Sequence, residues 1–167
     1  MVNHNKLWEQ IMSQTLDTLK RTSQTIVRLE TKLIHSSAKL PYRKRETDAG
    51  YDIHSVEDII LKPHSVTTVH TGIQISAPEG FYYTIEGRSS LFKAGINPHR
   101  GIIDATYTGE VVVALVSMSD EPYEVKVGDR IAQIILHKYC DADFALVDEF
   151  SAQYDQRGTA GFGSSGR

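Results

Sequence analysis

Three short segments carry side chains that could do chemistry. In Gly87-Arg88-Ser89-Ser90 one guanidinium and two hydroxyls follow a glycine, just after an alternating run at 81–86. An arginine fork matches phosphate oxygens, and backbone N–H groups beside a glycine add further donors. The same residues also read as a solvated turn with a surface arginine. In Ile103-Asp104, followed by Tyr107 and Gly109, one carboxylate lies between apolar residues and close to an aromatic ring. A carboxylate in a partly dry pocket serves as a general base when it reaches a water, worth about 10²–10⁴ in rate. Equally, an Asp there fixes the turn that leads into an apolar strand at 110–118. The third segment, near the C-terminus, places Arg157, Phe162, Ser164 and Ser165 among Gly158, Gly161, Gly163 and Gly166. An anion fork, a stacking ring and two hydroxyls on a glycine-rich arm suit a lid that closes on a nucleotide; alone, the arm also reads as a tail.

The rest of the sequence narrows the chemistry. The glycine-rich arm lacks the Gly-Lys-Ser/Thr ending and the strand-to-helix setting of a P-loop. The seven histidines include no pair at metal-ligand spacing and no His-Glu-x-x-His, and Cys140 has no cysteine partner, so no zinc site built by the protein is expected. Cys140 follows the apolar run at 131–136 and reads as a buried thiol at a strand end, while His54 and His70 read as strand surface residues. A net charge of −3 argues against a broad nucleic-acid surface and leaves room for a small phosphorylated substrate held by a few arginines. No apolar run approaches the roughly 20 residues of a membrane span and no signal-peptide pattern opens the chain, so a soluble, intracellular, cytoplasmic protein is expected.

The elements that must position these residues are mostly strands. The 167 residues, 40% hydrophobic and 23% charged, suit one domain with a sizeable core. Residues 1–24 differ: Trp8, Met12, Leu16 and Leu19 recur at spacings of three and four, which predicts a helical extension and a candidate surface for self-association or a protein partner. From Ile26 the period changes to two, predicting a strand to Leu33. Further strands are expected at 51–56, 65–71, 81–86, 110–118, 124–127 and 130–137, separated by turn residues such as Thr71-Gly72, Asn97-Pro98 and Gly128-Asp129. Many short strands without helical pattern between them predict an all-β sandwich or barrel over 25–150, with 151–167 as the glycine-rich arm. Residues 111–116 are apolar on both parities, as in a strand covered on both faces by a sheet partner or a neighbouring subunit.

In this order, five segments resemble the five signature motifs of the trimeric dUTPase family. They are Ala49-Gly50-Tyr51-Asp52-Ile53-His54-Ser55, Gly87-Arg88-Ser89-Ser90-Leu91, the decapeptide 101–110, Gly128-Asp129-Arg130-Ile131-Ala132-Gln133, and the arm 157–166. The resemblance covers about residues 26–167 and leaves the N-terminal helix outside. It implies a jelly-roll homotrimer with active sites shared between subunits, hydrolysing dUTP to dUMP and diphosphate, which limits uracil in DNA and supplies dUMP for dTMP synthesis. Asp104 would activate the water that strikes the α-phosphorus. Tyr107 would pack on the deoxyribose and leave no room for a 2′-hydroxyl. Arg88, Ser89, Ser90 and Gln133 would hold the phosphates. Phe162 would cover the uracil, with Arg157, Gly163, Ser164 and Ser165 gripping the γ-phosphate end. Mg²⁺ would ride on the triphosphate and its waters, with Asp52 supporting it indirectly.

Two departures mark where the family pattern stops. Asn97 is the sole asparagine between Ser90 and Asp104, so the uracil edge falls either to it or to backbone groups around Gly101 and Ile102. Ala160 stands where the family usually has glycine. Deoxycytidine triphosphate deaminases resemble the chain in the Arg-Ser-Ser and Ile-Asp segments, but they use a Glu on the following strand where this sequence has Ala114, and a methyl cannot shuttle protons.

Overall fold

The alternating sequence Phe81-Tyr82-Tyr83-Thr84-Ile85-Glu86 makes the strand around which the site is organised. The computed structural model describes residues 26–151, together with Met12, which is helical. In chain order the elements are β1 (Glu30–Leu33), β2 (Tyr51–His54), β3 (Ile59–Leu61), β4 (Val66–Val69), β5 (Ile73–Ser76), β6 (Phe81–Glu86), helix α1 (Ser89–Lys93), β7 (Ile96–Pro98), β8 (Gly101–Ile103), β9 (Val113–Ser117), β10 (Tyr123–Val125) and β11 (Arg130–Lys138). The expectation of an all-β domain holds for these residues, in which α1 is a helix of five residues. The extension 1–24, apart from Met12, and the arm from residue 152 onward lie outside the described residues, and with them Arg157, Phe162, Gly163, Ser164 and Ser165. No helix among the described residues is long and apolar enough to cross a membrane.

All pairings are antiparallel. The largest sheet has the order β2-β11-β6-β8, with Gln133 opposite both Asp52 and Glu86, and Tyr83 opposite Ile103. A second sheet has the order β4-β9-β7, and β1 pairs with β5 as β10 pairs with β3. One apolar cluster joins the sheets: Ile53, Tyr83, Ile85 and Ile131 come from the first, Val69, Ile96, Val113 and Leu115 from the second, and Leu61, Ile73, Ile75 and Val125 from the pairs. The Tyr83 hydroxyl reaches the Ile75 carbonyl, so this ring is buried without an unmet polar group.

Several sequence expectations are modified. The strand expected at 26–33 begins only at Glu30, because β5 covers one edge and residues 26–29 have no ladder partner. Strands β3, β5, β7 and β8 and helix α1 were not expected; three to five residues are too few to establish a period. On β9 the inward residues Val113 and Leu115 are fully buried, while the other parity is half-buried at Ala114 and Val116 and exposed at Val112, so a single chain covers one face of this run. Cys140 is exposed rather than buried, since β11 ends at Lys138 and the chain then leaves the sheet. His54 is buried rather than on the surface: its ring stacks on Tyr42 with centroids 5.6 Å apart.

Leu115 is fully buried in the strand that ties β4 to β7. Leu115→Ala is expected to lower the free energy of unfolding by about 2–5 kcal/mol in a denaturant titration, the range for a large-to-small change in a packed core.

Candidate active site

Strand β6 runs out at Glu86, and the chain turns at once through Gly87 into α1. Here the first half of the site forms. The Arg88 Nε donates to Asp52 Oδ1 at 2.7 Å, and its terminal nitrogen donates to the Ser90 hydroxyl and the Arg130 carbonyl, each at 3.3 Å. Arg130, one strand away on β11, donates to Asp52 Oδ2 at 3.2 Å. Asp52 is therefore a half-buried carboxylate held between two guanidiniums. One negative charge against two positive ones leaves an excess cation, with Ser89 and Ser90 exposed beside it. The Gln133 amide nitrogen donates to the Gly87 carbonyl at 2.7 Å and fastens the turn to β11. Arg88, Ser90, Leu91, Tyr123, Asp129 and Arg130 line a cleft of about 190 Å³ here. Behind it, burial and then the Lys39 charge hold the His54 imidazole below its ordinary pKa, with Asp52 opposing and Arg130 and Arg88 adding to the depression.

The second half lies at the other end of β6. Because Tyr83 pairs with Ile103, Asp104 emerges level with Tyr82, and a cleft of about 370 Å³ is lined by Tyr82, Asp104, Ala105, Thr106 and Tyr139. The loop 104–110 is folded on itself: the Tyr107 amide donates to the Asp104 carbonyl at 3.1 Å, and the Tyr107 hydroxyl donates to the Glu110 carbonyl at 2.9 Å. The ring covers Gly109, where a Cβ would stand 2.4 Å from the hydroxyl oxygen. A side chain there would displace the ring from this position.

The side chain of Asp104 differs from the turn-forming aspartates of the chain. Asp48 and Asp129 each accept a backbone N–H three residues away, from Arg45 and Lys126 respectively. Such bonds are how an Asp stabilises a turn. Among the described residues Asp104 has no such bond, and its carboxylate is exposed. The sequence had suggested a partly dry pocket; among the described residues of one chain nothing covers it.

The structure thus brings together Asp52, Arg88, Ser89, Ser90 and Gln133, and separately Gly101, Ile102, Asp104 and Tyr107. Four residue steps of strand separate Tyr82 from Glu86, roughly 13 Å at about 3.3 Å per residue, before the chain turns to Arg88. Gly101 and Ile102 lie on β8, the edge strand of its sheet, which leaves one row of backbone donors and acceptors unpaired. Asn97 instead sits against Gly87, its Oδ1 at 2.3 Å from where a Cβ would stand, away from the Asp104 loop. Ala114 on β9 presents only a methyl and accepts the His99 amide at its carbonyl. Sequence reasoning overlooked Arg130, which flanks an apolar strand, and the Glu110–His70 contact, in which the partners lie 40 residues apart.

No group of three or more metal-ligating side chains occurs among the described residues. Both oxygens of Asp52 are occupied by arginines. These residues fit a cation carried mainly by phosphate oxygens and water, which accords with the reluctance of Mg²⁺ to shed its hydration shell.

The sequence model of the dUTPase family matches residues 36–166. The deoxyuridine 5'-triphosphate nucleotidohydrolase of Paramecium bursaria Chlorella virus 1 is 43% identical over 136 residues, spanning 81% of this chain and 95% of its own. The protein of the same name from Saccharomyces cerevisiae is 40% identical over 147 residues, spanning 87% of this chain and 97% of its own. Among solved structures, a dUTPase of Staphylococcus bacteriophage 80alpha with dUpNHpp resembles the chain with a TM-score of 0.76 at 28% identity, covering 84% of this chain and 99% of that one.

The His70–Glu110 pair has a definite pH signature. The hydrogen bond to Glu110, then its charge, raise the His70 pKa above 6.5. Burial pushes the Glu110 carboxyl up, but the bonds from His70 and the Gly72 amide outweigh it, and its pKa falls below 4.5. A raised histidine stabilises below its unfolded pKa and loses this as pH rises through the folded value. A lowered glutamate stabilises above its unfolded pKa and loses this as pH falls through the folded value. The stability difference between wild type and His70→Ala should therefore be greatest between pH 4.5 and 6.5 and shrink on either side, measured as thermal midpoints across pH 4–8.

Proposed function

The chain belongs to the dUTPase family, and from that premise we propose that it hydrolyses dUTP to dUMP and diphosphate in active sites shared between the subunits of a jelly-roll homotrimer. The observation that carries the proposal is the pair of half-sites at opposite ends of β6. A base and an anion cradle must both reach one phosphate to within hydrogen-bond distance, and roughly 13 Å of strand from Tyr82 to Glu86 keeps Asp104 from the Arg88 cluster of its own chain. A neighbouring copy that brings its Asp104 loop to this cluster resolves the separation. The exposed Phe144, Leu146 and Phe150, carried by the segment that leaves β11, favour such packing, because a run of apolar side chains in water favours association.

In the assembled site the Asp104 carboxylate takes a proton from a water as its oxygen attacks the α-phosphorus. The bond from that phosphorus to the bridging oxygen breaks, and the electron pair leaves on the diphosphate. Arg88, already oriented by Asp52, and the Ser89 and Ser90 hydroxyls donate to the departing oxygens, and Gln133 fixes the turn that presents them. Mg²⁺, bound with the nucleotide and supported at a distance by Asp52, would supply further neutralisation of phosphate charge. Tyr107 lies under the deoxyribose and leaves no space for a 2′-oxygen. The unpaired edge of β8 at Gly101 and Ile102 offers backbone groups to the uracil edge. The arm from residue 151, with Arg157, Phe162, Gly163, Ser164 and Ser165, closes the site.

Diphosphate release from dUTP, UTP, dTTP and dCTP tests this reading, with dUTP preferred. Asp104→Asn should lose about 10²–10⁴ in turnover. Mixing denatured Asp104→Asn with denatured Arg88→Ala and refolding them together should restore activity to about a quarter of wild type, because random assembly pairs an intact cradle with an intact base at one site in four. No regain in verified mixed trimers would exclude shared sites.

A further inference from the structure

The loop that carries Asp104 and Tyr107 is closed on itself, and its end is fastened to the rest of the chain twice, by a backbone bridge between Glu110 and Gln74 and by the side chain of Glu110. One carboxylate oxygen accepts the Gly72 amide at 2.8 Å and the other meets His70 Nδ1 at 2.9 Å. Both oxygens thus land on the turn between β4 and β5. That turn is itself rigid. Gly72 has φ +64, and a Cβ there would stand 2.6 Å from the His35 Cβ. Its carbonyl takes the Ile34 amide at 2.8 Å, and the His70 amide donates to Glu57 at 2.8 Å. The neighbouring Thr71 hydroxyl donates to the Val111 carbonyl, and the Val111 amide to the Ile73 carbonyl, so the chain beyond the loop is fixed to the same turn.

What the fastening holds is the Tyr107 ring, because the carbonyl that receives the Tyr107 hydroxyl belongs to Glu110. A ring excludes an extra oxygen only if it cannot retreat. A displacement of about 1 Å in a positioning group changes rates by up to about 10²-fold.

We propose that Glu110 is a positioning residue for sugar discrimination: its carboxylate, anchored on Gly72 and His70, fixes the height of the Tyr107 ring and thereby the preference for a deoxyribose over a ribose triphosphate. This rests on the role assigned above to Tyr107. The Glu110 side chain touches no reacting atom; it acts through its own carbonyl and the tyrosine.

Steady-state kinetics of the full chain with dUTP and UTP decide the matter. Glu110→Ala is expected to lower the dUTP-to-UTP ratio of kcat/KM about tenfold. Glu110→Gln, which keeps an acceptor for the Gly72 amide, is expected to retain most of it. Combining Glu110→Ala with Tyr107→Phe should add little to either single change, since the two act in series. A wild-type ratio in Glu110→Ala overturns the proposal. Tyr107→Ala separates this inference from its premise: if that variant also keeps the ratio, the role of Tyr107 fails; if it loses the ratio while Glu110→Ala keeps it, only the role of Glu110 fails. Where Glu110→Ala does not fold, His70→Ala is read in its place, with a fall of about threefold expected for one lost contact and an unchanged ratio counting against the proposal.

Discussion

Strand β6 is hydrogen-bonded on both edges, to β11 on one side and β8 on the other. Its two registers decide where every described site residue stands. The pairing of Glu86 with Gln133 brings the turn at Gly87 beside β11, and the pairing of Gln133 with Asp52 adds β2 to the same end. The pairing of Tyr83 with Ile103 delivers Asp104 to the opposite end. Because side chains alternate along a strand, a slip of one residue in either ladder would turn Tyr83 and Ile85 out of the core. The core therefore enforces the registers, and the registers enforce the division of the site.

At the Gly87 end, the determining interaction is electrostatic. Asp52 alone on a half-covered strand would be a poor neighbour for phosphate. Between Arg88 and Arg130 it becomes the element that holds two guanidiniums and restricts their rotamers. An arginine that is already oriented loses less entropy when it meets an anion. The depressed pKa of His54 behind this cluster follows from burial first and then from these charges: Lys39, Arg130 and Arg88 oppose a further cation there, against the pull of Asp52.

Much of this was legible in the sequence, and the part that was not has a physical reason. Arg88, Ser89 and Ser90 drew notice as a fork and two hydroxyls after a glycine, the resemblance to the dUTPase motifs added Gln133, and the structure does gather them with Asp52. Strand β6 was read at its true bounds because its six residues alternate cleanly. Strands β7 and β8 were missed because Pro98 and Gly101 interrupt runs of three residues, too short for periodicity to register. The burial of His54 depends on Tyr42 stacking over it, a contact between separate segments. Arg130 and Glu110 were overlooked for a similar cause: their significance lies in partners 78 and 38–40 residues away, which no local pattern encodes. Among the described residues of a single chain Asp104 is exposed, since Ile103 packs against the core while the loop beyond lies at the surface.

The two halves also differ in kind. The Arg88 half carries charge and hydroxyls, features that attract any triphosphate and discriminate little among bases or sugars. The Asp104 half carries an edge strand with unpaired backbone groups, an aromatic ring and a carboxylate, features suited to reading a nucleoside. Under the shared-site reading, affinity and selectivity come from different copies of the chain. A lone chain would then hold triphosphate without an apposed base, and it would present its own base where no phosphate is held. Association supplies the missing half and at the same time covers Asp104, which lowers the local dielectric and strengthens each hydrogen bond to the phosphates. Assembly and dryness are thus one event in this architecture. That is why the loop must be stiff before the partner arrives: a loop that had to order itself on contact would oppose the association with its own conformational entropy. The internal bonds of Tyr107 and the anchoring of Glu110 on the β4–β5 turn reduce that cost within the single chain.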